Sequence, residues 1–508
     1  MPHPSPQSSS QILPYTLDMA TLLSLSLSLS LLLLFNGCLA HHQQQQFQSQ
    51  NECQINRLNT IEPNTRIPSE AGTTEWWNPN TQQLSCAGVS VMRHNVEPNG
   101  LVLPSFTNAP QLVYIVQGRG IQGTVMPGCA DTFQESTQSH GKFRDQHQKI
   151  RRFRQGDVIA LPAGVVHWSY NDGNERLVTV NLLHTANSAN QLDSNPRRFH
   201  LAGNPEEEQR RLRRFAQQQF QGSRSEREEV EQEEEEGEED SRSRREQKSS
   251  SCSNLLCAFE SEFLAQAFNV DTNIIRKLQE VRGHKGTIIR VRDRLDVVSP
   301  PRTEEEEREE RQQEESRREH RRSGRDNGLE ETFCAMRIKE NIADPERADI
   351  FNPQAGRIST LNRFNLPILN ALGLSAEMGV LRSRAGTVPQ WCVNAHKILY
   401  MLRGNARIQV VNHNGDTVFD DNVEQGQLLT VPQNFAFMKR AGSEGAEWVS
   451  FFTNSEATNT PMAGRVSAIR ALPEEVVAAS YQISREDARK VKFNNQDTFF
   501  FTSSRAEA

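Results

Sequence analysis

The bond between Asn327 and Gly328 is where this 508-residue chain most readily offers chemistry, and the chemistry is done to the chain rather than by it. Residues 304–325 just before it are almost all Glu, Arg and Gln, with too little apolar surface to offset the entropy of ordering. An Asn-Gly pair at the end of such a tail suits a protease, because exposed segments of low stability are nicked first. Cys334 follows closely, so a disulfide there would tether whatever a cut releases. By itself Asn-Gly is also a tight-turn pair; its context carries the cleavage reading.

Other reactive residue types are less well placed. His41-His42 beside a glutamine run offers at most a weak surface metal site. Gly118-Arg119-Gly120 ends a strand and precedes no helix, so it is a turn rather than a phosphate loop. Carboxylates cluster in the Glu-rich tracts, where nothing holds them in a productive geometry. Cys392 is a soft ligand type, but an isolated Cys is more often simply buried, and it is the first candidate for an unpaired thiol. His167 sits just past a Pro162/Gly164 turn.

Whole-chain properties narrow the classes. Net charge −7 with pI near 6.1 argues against a general nucleic-acid binder. Hydrophobic content of 35% and mean hydropathy of −0.67 are low, and the deficit lies in Gln, Glu and Arg tracts that alternate with core-forming segments. Residues 22–35 form a Leu/Ser apolar run followed by small residues, which reads as a signal peptide cleaved between Ala40 and His41. The leader before it lacks Lys and Arg, so Met19 is the expected start. No other run approaches membrane length. Eight cysteines become seven when Cys38 leaves with the signal, and an oxidising compartment favours disulfides. There is no Asn-x-Ser/Thr acceptor.

The elements that must position these residues are mainly strands. Residues 87–91, 112–116 and 157–161 are short β-rich runs punctuated by Gly, Pro and Asn, which predicts an antiparallel sandwich or barrel. Residues 204–251 are Glu, Gln, Arg and Ser and read as a disordered, solvated loop. Residues 259–282 return to helical spacing, with Asp271 as an N-cap. Self-comparison then pairs residues 111–118 with 397–404, 154–162 with 424–432 and 263–271 with 476–484. One order of strands followed by helices occurs twice, and the first copy carries the long inserts.

Two motifs carry a resemblance to known families. Asn327-Gly-Leu-Glu-Glu331 followed by Thr332-Phe333-Cys334 resembles the processing junction of the legumin-type 11S seed storage globulins, and the resemblance spans roughly residues 53–502. Gly156-x5-Pro162-x-Gly164-x2-His167-x3-Asn171 is similar to the second signature of the cupin superfamily. Metal-binding cupins add two His and a Glu from a first motif. Here Phe106, Asn108 and Gln111 are read into those places, and Cys392, Asn394 and Lys397 in the second copy, where Phe437 replaces the His. Lys397 would repel a cation, and His167 reads as a hydrogen-bonded histidine left in a barrel core.

The resemblance implies a mainly β fold of two cupin (jelly-roll) barrels, each followed by a short helical arm. It implies disulfides Cys53–Cys86 and Cys129–Cys334; Cys252 and Cys257 lie outside the family pattern, with local pairing one option. It implies a leader and signal over 1–40, an acidic chain over 41–327 and a second chain over 328–508, cut apart after Asn327 by an asparagine-specific endopeptidase. Trimers that stack into homo- or hetero-hexamers, a non-enzymatic seed storage role without a cofactor, and delivery to the protein storage vacuole follow from the same resemblance. Many members of that family are food allergens. The second chain is expected to be basic, yet its charges here nearly balance. The alternative is a metal- or small-ligand-binding cupin of the germin-like kind.

Overall fold

The structure, a computed structural model, describes residues 53, 55–129, 133–134, 146–148, 150–221, 254–279, 286–293, 295, 297, 334 and 336–502. The signal run, the Ala40/His41 and Asn327/Gly328 bonds, Cys252 and most of the Glu-rich tracts lie outside these residues.

The first barrel is built from β1 (Thr65–Ser69), β2 (Gly72–Trp76), β3 (Ser90–Val96), β4 (Gly100–Thr107), β5 (Gln111–Gln117) and β6 (Arg119–Val125). A short hairpin, β7 (Phe133–Gln134) and β8 (Gln146–His147), is followed by β9 (Ile150–Arg154), β10 (Asp157–Leu161), β11 (Val166–Tyr170), β12 (Leu177–Leu183) and β13 (Arg198–His200). Two later strands, β14 (Ile288–Arg290) and β15 (Lys339–Asn341), complete it. One sheet runs β1-β2-β3-β12-β5-β10-β15; the other runs β13-β4-β11-β6-β9, with β14 on β4. All the pairings are antiparallel, as the short strands and turn residues predict.

The second barrel repeats the plan with β16 (Ile350–Asn352), β17 (Gly356–Leu361), β18 (Ser375–Leu381), β19 (Gly386–Cys392), β20 (Lys397–Val411), β21 (Thr417–Glu424), β22 (Leu428–Val431) and β23 (Ala436–Phe452). The edge strands β24 (Asn459–Pro461) and β25 (Phe500–Phe501) both pair with β19. The aligned repeats occupy equivalent places. Gly156 and Gly426 turn into β10 and β22 with φ of 85° and 87°, a conformation nearly free only for glycine.

Strand β5 reads Leu-Val-Tyr-Ile-Val rather than alternating, because both of its faces are covered: the barrel interior on one side and the second barrel on the other. The Tyr114 hydroxyl contacts Met378 Sδ at 3.6 Å, and the Trp77 ring meets Tyr400 edge-on at 6.1 Å. Arg93 binds Glu75 at 2.6 Å and donates to the Tyr400 hydroxyl at 3.1 Å. One apolar cluster runs from Val91 and Leu112 through Ile338 and Leu369 to Phe451. Each such fully buried aliphatic side chain contributes about 1.5–3 kcal/mol, so the two barrels share a core.

The two halves also exchange strands. β15 pairs with β10 of the first barrel, with Ile159 opposite Lys339. In return Ile61 bridges Leu428, and Leu58 N–H donates to Val418 C=O at 2.8 Å. The boundary between barrels therefore differs from a chain boundary at Asn327, since residues beyond that bond complete the first barrel.

Helices α1 (Gln82–Ala87), α2 (Glu206–Gln221), α3 (Ser261–Phe268), α4 (Thr272–Gln279), α5 (Leu369–Leu372), α6 (Ala468–Ala471), α7 (Glu474–Tyr481) and α8 (Arg485–Phe493) punctuate the sheets. The two arms repeat each other in detail. Asn269 and Gln482 end α3 and α7 with φ of 53° each. Asp271 Oδ1 then accepts from Asn273 N at 2.8 Å, and Ser484 caps α8 from Asp487 N at 3.0 Å.

Helix α2 departs from the sequence expectation, which made residues 204–251 a solvated loop. Glu206, Glu207 and Glu208 lie in its first turn, where negative charge complements the helix dipole. Glu207 pairs with Arg210 and Arg211 one turn on. The deciding difference from a free tract is that Glu208 and Leu212 turn inward against the first barrel, which periodicity in so polar a segment does not reveal.

Candidate functional site

The pleat of the first barrel decides which residues face its interior. On β4, Ser105 pairs with His167 of β11 and with His200 of β13, and all three are buried. Period-2 alternation then turns Phe106 outward, where it stacks on Phe199 at 4.9 Å. Asn108 is likewise outside, binding Asn190 and the Asn195 carbonyl of a surface loop. Assigning Phe106 and Asn108 to inward first-motif positions was therefore a one-residue slip of register, which flips a side chain to the other face. Ser105 and Thr107 occupy the inward places, and Gln111 faces inward as expected.

His167 has both ring nitrogens engaged. The Val165 carbonyl lies 3.1 Å from Nδ1 and must accept, so Nε2 is the acceptor for the Gln111 amide at 3.1 Å. Burial, helped by the Arg198 charge, pushes its pKa down to about 4. A neutral ring with no lone pair to spare does not fit a metal ligand. Asn171, fully buried, holds the following turn through the Val96 and Glu175 carbonyls at 3.0 and 2.8 Å.

Beyond His167 the interior holds a polar group that the motif does not contain: His94, Arg198, His200 and Glu208. The Arg198 guanidinium donates to Ser105 Oγ at 3.0 Å and to His94 Nε2 at 3.3 Å. With Nε2 accepting, His94 donates from Nδ1 to Thr74 Oγ at 3.0 Å. Burial and the neighbouring Arg198 charge keep His94 and His200 well below the usual imidazole range. Burial also raises the Glu208 pKa, against the opposing pull of Arg198.

The second barrel solves the same packing problem with lysines. Lys397 occupies the place of Gln111, and Phe437 that of His167; the ammonium lies 5.0 Å from the Phe437 and Phe452 ring centres. Its carboxylate partner is Glu377 at 2.8 Å, which also accepts from Trp448 Nε1 at 3.3 Å. Lys439 lies 4.0 Å over the Trp448 ring. Burial, then the charge of Lys397, drives the Lys439 pKa far below normal. Burial works against ionisation of Glu377, but Lys397 and Lys439 together hold its pKa below the usual carboxylate value. The Lys397 ammonium, its Glu377 counter-charge and aromatic rings fill the interior, an arrangement already neutralised from within and not fitted to a metal cation.

Asn394 faces out, hydrogen-bonded to Glu456 C=O at 2.9 Å. Cys392 is a free, buried thiol whose pKa is raised, chiefly by burial. Cys129 and Cys334 form a disulfide with Cα atoms 5.4 Å apart. Cys53, Cys86 and Cys257 are each disulfide-bonded. Both arms expose apolar side chains: Phe263 and Phe268 at 66% and 53% on one, Tyr481 and Val491 at 60% and 52% on the other.

Sequence reasoning missed Arg198, His200, Glu208, Glu377 and Lys439. The only available signal was alternation: Arg198-Phe199-His200 and Phe437-Met438-Lys439 each put like-facing residues two apart. Alternation cannot say which face is dry, so a charged row reads by default as the wet one.

A family model described as "Cupin" matches residues 58–207 and 340–489, the two barrels. Legumin A of Gossypium hirsutum is 77% identical over 492 residues, covering 94% of this chain and 97% of its own length. The crystal structure of the coconut allergen cocosin is 42% identical with a TM-score of 0.72, covering 89% of this chain and 100% of that one. Procruciferin, an 11S globulin from Brassica napus, is 41% identical with a TM-score of 0.72, at 89% and 99% coverage.

Proposed function

The chain belongs to the legumin-type 11S seed storage globulins of the cupin superfamily, and from that premise we propose how it is processed and assembled. Its role is storage: a reserve of nitrogen and carbon held in a stable fold. The signal leaves between Ala40 and His41. An asparagine-specific endopeptidase cuts between Asn327 and Gly328, separating residues 41–327 from residues 328–508. The Cys129–Cys334 disulfide, which spans that bond, carries this reading, because it holds the products together. Cys53 and Cys86 pair within the first product.

Assembly uses the two helical arms. Their buried sides are satisfied internally, as in the Leu264, Ala265 and Ile275 cluster, while Phe263, Phe268, Tyr481 and Val491 remain outside. Apolar area of that kind on paired helices supports trimer formation and then hexamers of like or related chains. The protein carries out no catalysis in this reading, since lysines, histidines and aromatic rings fill both barrel interiors. Its destination is the protein storage vacuole of the seed.

The test is a denaturing gel of protein from its native tissue, run with and without reductant, with N-terminal sequencing of the smaller fragment. One band that splits on reduction, with the small fragment starting at Gly328, is the expected result. A chain that stays whole in mature tissue overturns the processing scheme.

A further inference from the structure

Arg198 is a guanidinium buried to 7% exposure, and its hydrogen-bond partners Ser105 and His94 are both neutral. A buried cation needs a counter-charge. The carboxylate that acts on it is Glu208, itself only 2% exposed. Yet Glu208 comes from outside the barrel, from the first turn of α2. The Trp76 indole N–H is directed at the Glu208 carboxylate and helps hold its pKa down, but the two do not reach full hydrogen-bond geometry, and both ring nitrogens of His200 also lack a partner. Glu208 Oε2 stands 3.6 Å from His200 Nε2. Donors of Arg198, His200 and Trp76 thus converge on the Glu208 carboxylate without tight hydrogen bonds to it.

The second barrel offers a comparison. Its interior carboxylate, Glu377, is built into strand β18 and is bound at 2.8 Å by Lys397. That carboxylate cannot leave without unfolding a sheet. Glu208 sits on a helix whose described side chains meet the barrel at Glu208 itself and, one turn on, at Leu212, which packs on the cluster of Ile67, Trp76, Met92, Ala109 and Leu183. The neighbouring residues Glu206, Arg213 and Arg214 face outward.

We propose that the first barrel contains a carboxylate-binding chamber formed by Arg198, His200 and Trp76, that Glu208 of α2 is its resident occupant, and that displacing α2 opens it to a small organic monocarboxylate. Arg198 supplies the charge, His200 and the Trp76 indole supply N–H donors, and α2 acts as lid and pseudo-ligand together. The proposal is independent of the storage role and of the cut at Asn327.

Acetate is the probe, because truncating Glu208 to Ala removes a CH2–COO group of nearly the same size. In the full chain, Glu208→Ala should melt below the unsubstituted protein. Acetate should raise its Tm saturably by a few degrees relative to chloride at equal ionic strength, as a ligand selective for the folded state does. The unsubstituted protein and the double variant Glu208→Ala/Arg198→Met should show no such rise. An acetate response no greater than that of chloride, or an equal response in the unsubstituted protein, overturns the proposal. Should Glu208→Ala fail to fold, Leu212→Ala decides the matter by loosening the lid and leaving the chamber intact. There acetate should compete with Glu208 and speed proteolysis within α2, and a rate independent of acetate overturns the proposal equally.

Discussion

Lys339 lies opposite Ile159 in the sheet of the first barrel, and its ammonium reaches the Arg152 carbonyl at 2.7 Å and Asp157 Oδ2 at 3.3 Å. A residue beyond the Asn327–Gly328 bond thus completes the edge of a barrel made almost wholly of residues before it. The return contact of Ile61 with Leu428 locks the other half in the same manner. The two segments are interleaved as well as cross-linked.

Cutting after Asn327 and reducing the disulfides should therefore not separate the two chains under native conditions. Size-exclusion chromatography of the cut, reduced protein should give one peak, splitting only in denaturant. Two peaks in buffer would show that the strand exchange is too weak to hold the chains.

Removing the Cys129–Cys334 bond should destabilise the uncut chain. The bond spans 205 residues in the uncut chain, a loop whose closure is worth about 5 kcal/mol in the chain-entropy model. Cys129→Ser/Cys334→Ser should lower the urea midpoint of the uncut protein accordingly. An unchanged midpoint would place the bond's contribution in the folded state's strain instead.

Lys397→Met should destabilise by about 3–5 kcal/mol, because it leaves the buried Glu377 carboxylate without its nearest partner. Adding Glu377→Gln should restore part of the loss. Chemical denaturation of the single and double variants checks both statements; a fully additive double variant would deny the coupling.

Acid should weaken the first barrel through His167. Its pKa is about 4 when folded, against about 6.5 for an unfolded chain. The contribution is complete above the unfolded value and falls away as pH drops from there through the folded value, because the unfolded chain takes up the proton first. The loss is on the order of 3 kcal/mol. Thermal melts from pH 7.5 to 4 should slope accordingly, and His167→Gln should flatten part of that slope.

Phe263→Asp should abolish self-association while leaving the melting of the single chain nearly unchanged, since Phe263 is 66% exposed and outside the inner cluster of its arm. Sedimentation velocity gives the assembly and calorimetry the stability. Intact oligomers in the variant would move the interface elsewhere.

Local chemistry was legible in the chain itself. The doubled order of strands and helices, the turns at Gly156 and Gly426, and the caps at Asp271 and Ser484 depend on residues a few places apart, whose backbone preferences act before any tertiary contact forms. The cupin signature was legible for the same reason. Facing was harder. Ser105 and Phe106 are neighbours, and only the pairing of β4 with β11 and β13 shows which of them looks inward. A one-residue register is invisible without the partner strand. Glu208, Glu377 and Lys439 read as solvated charges until the fold surrounds them, because burial is a property of what packs around a side chain. The strand exchange at Lys339 and Ile61 joins segments far apart in the chain, and no local pattern encodes such a pairing. The chain alone determined the repeated elements and their turns; the tertiary structure decided which polar residues are dry, which opposite charges meet, and how the two halves hold one another.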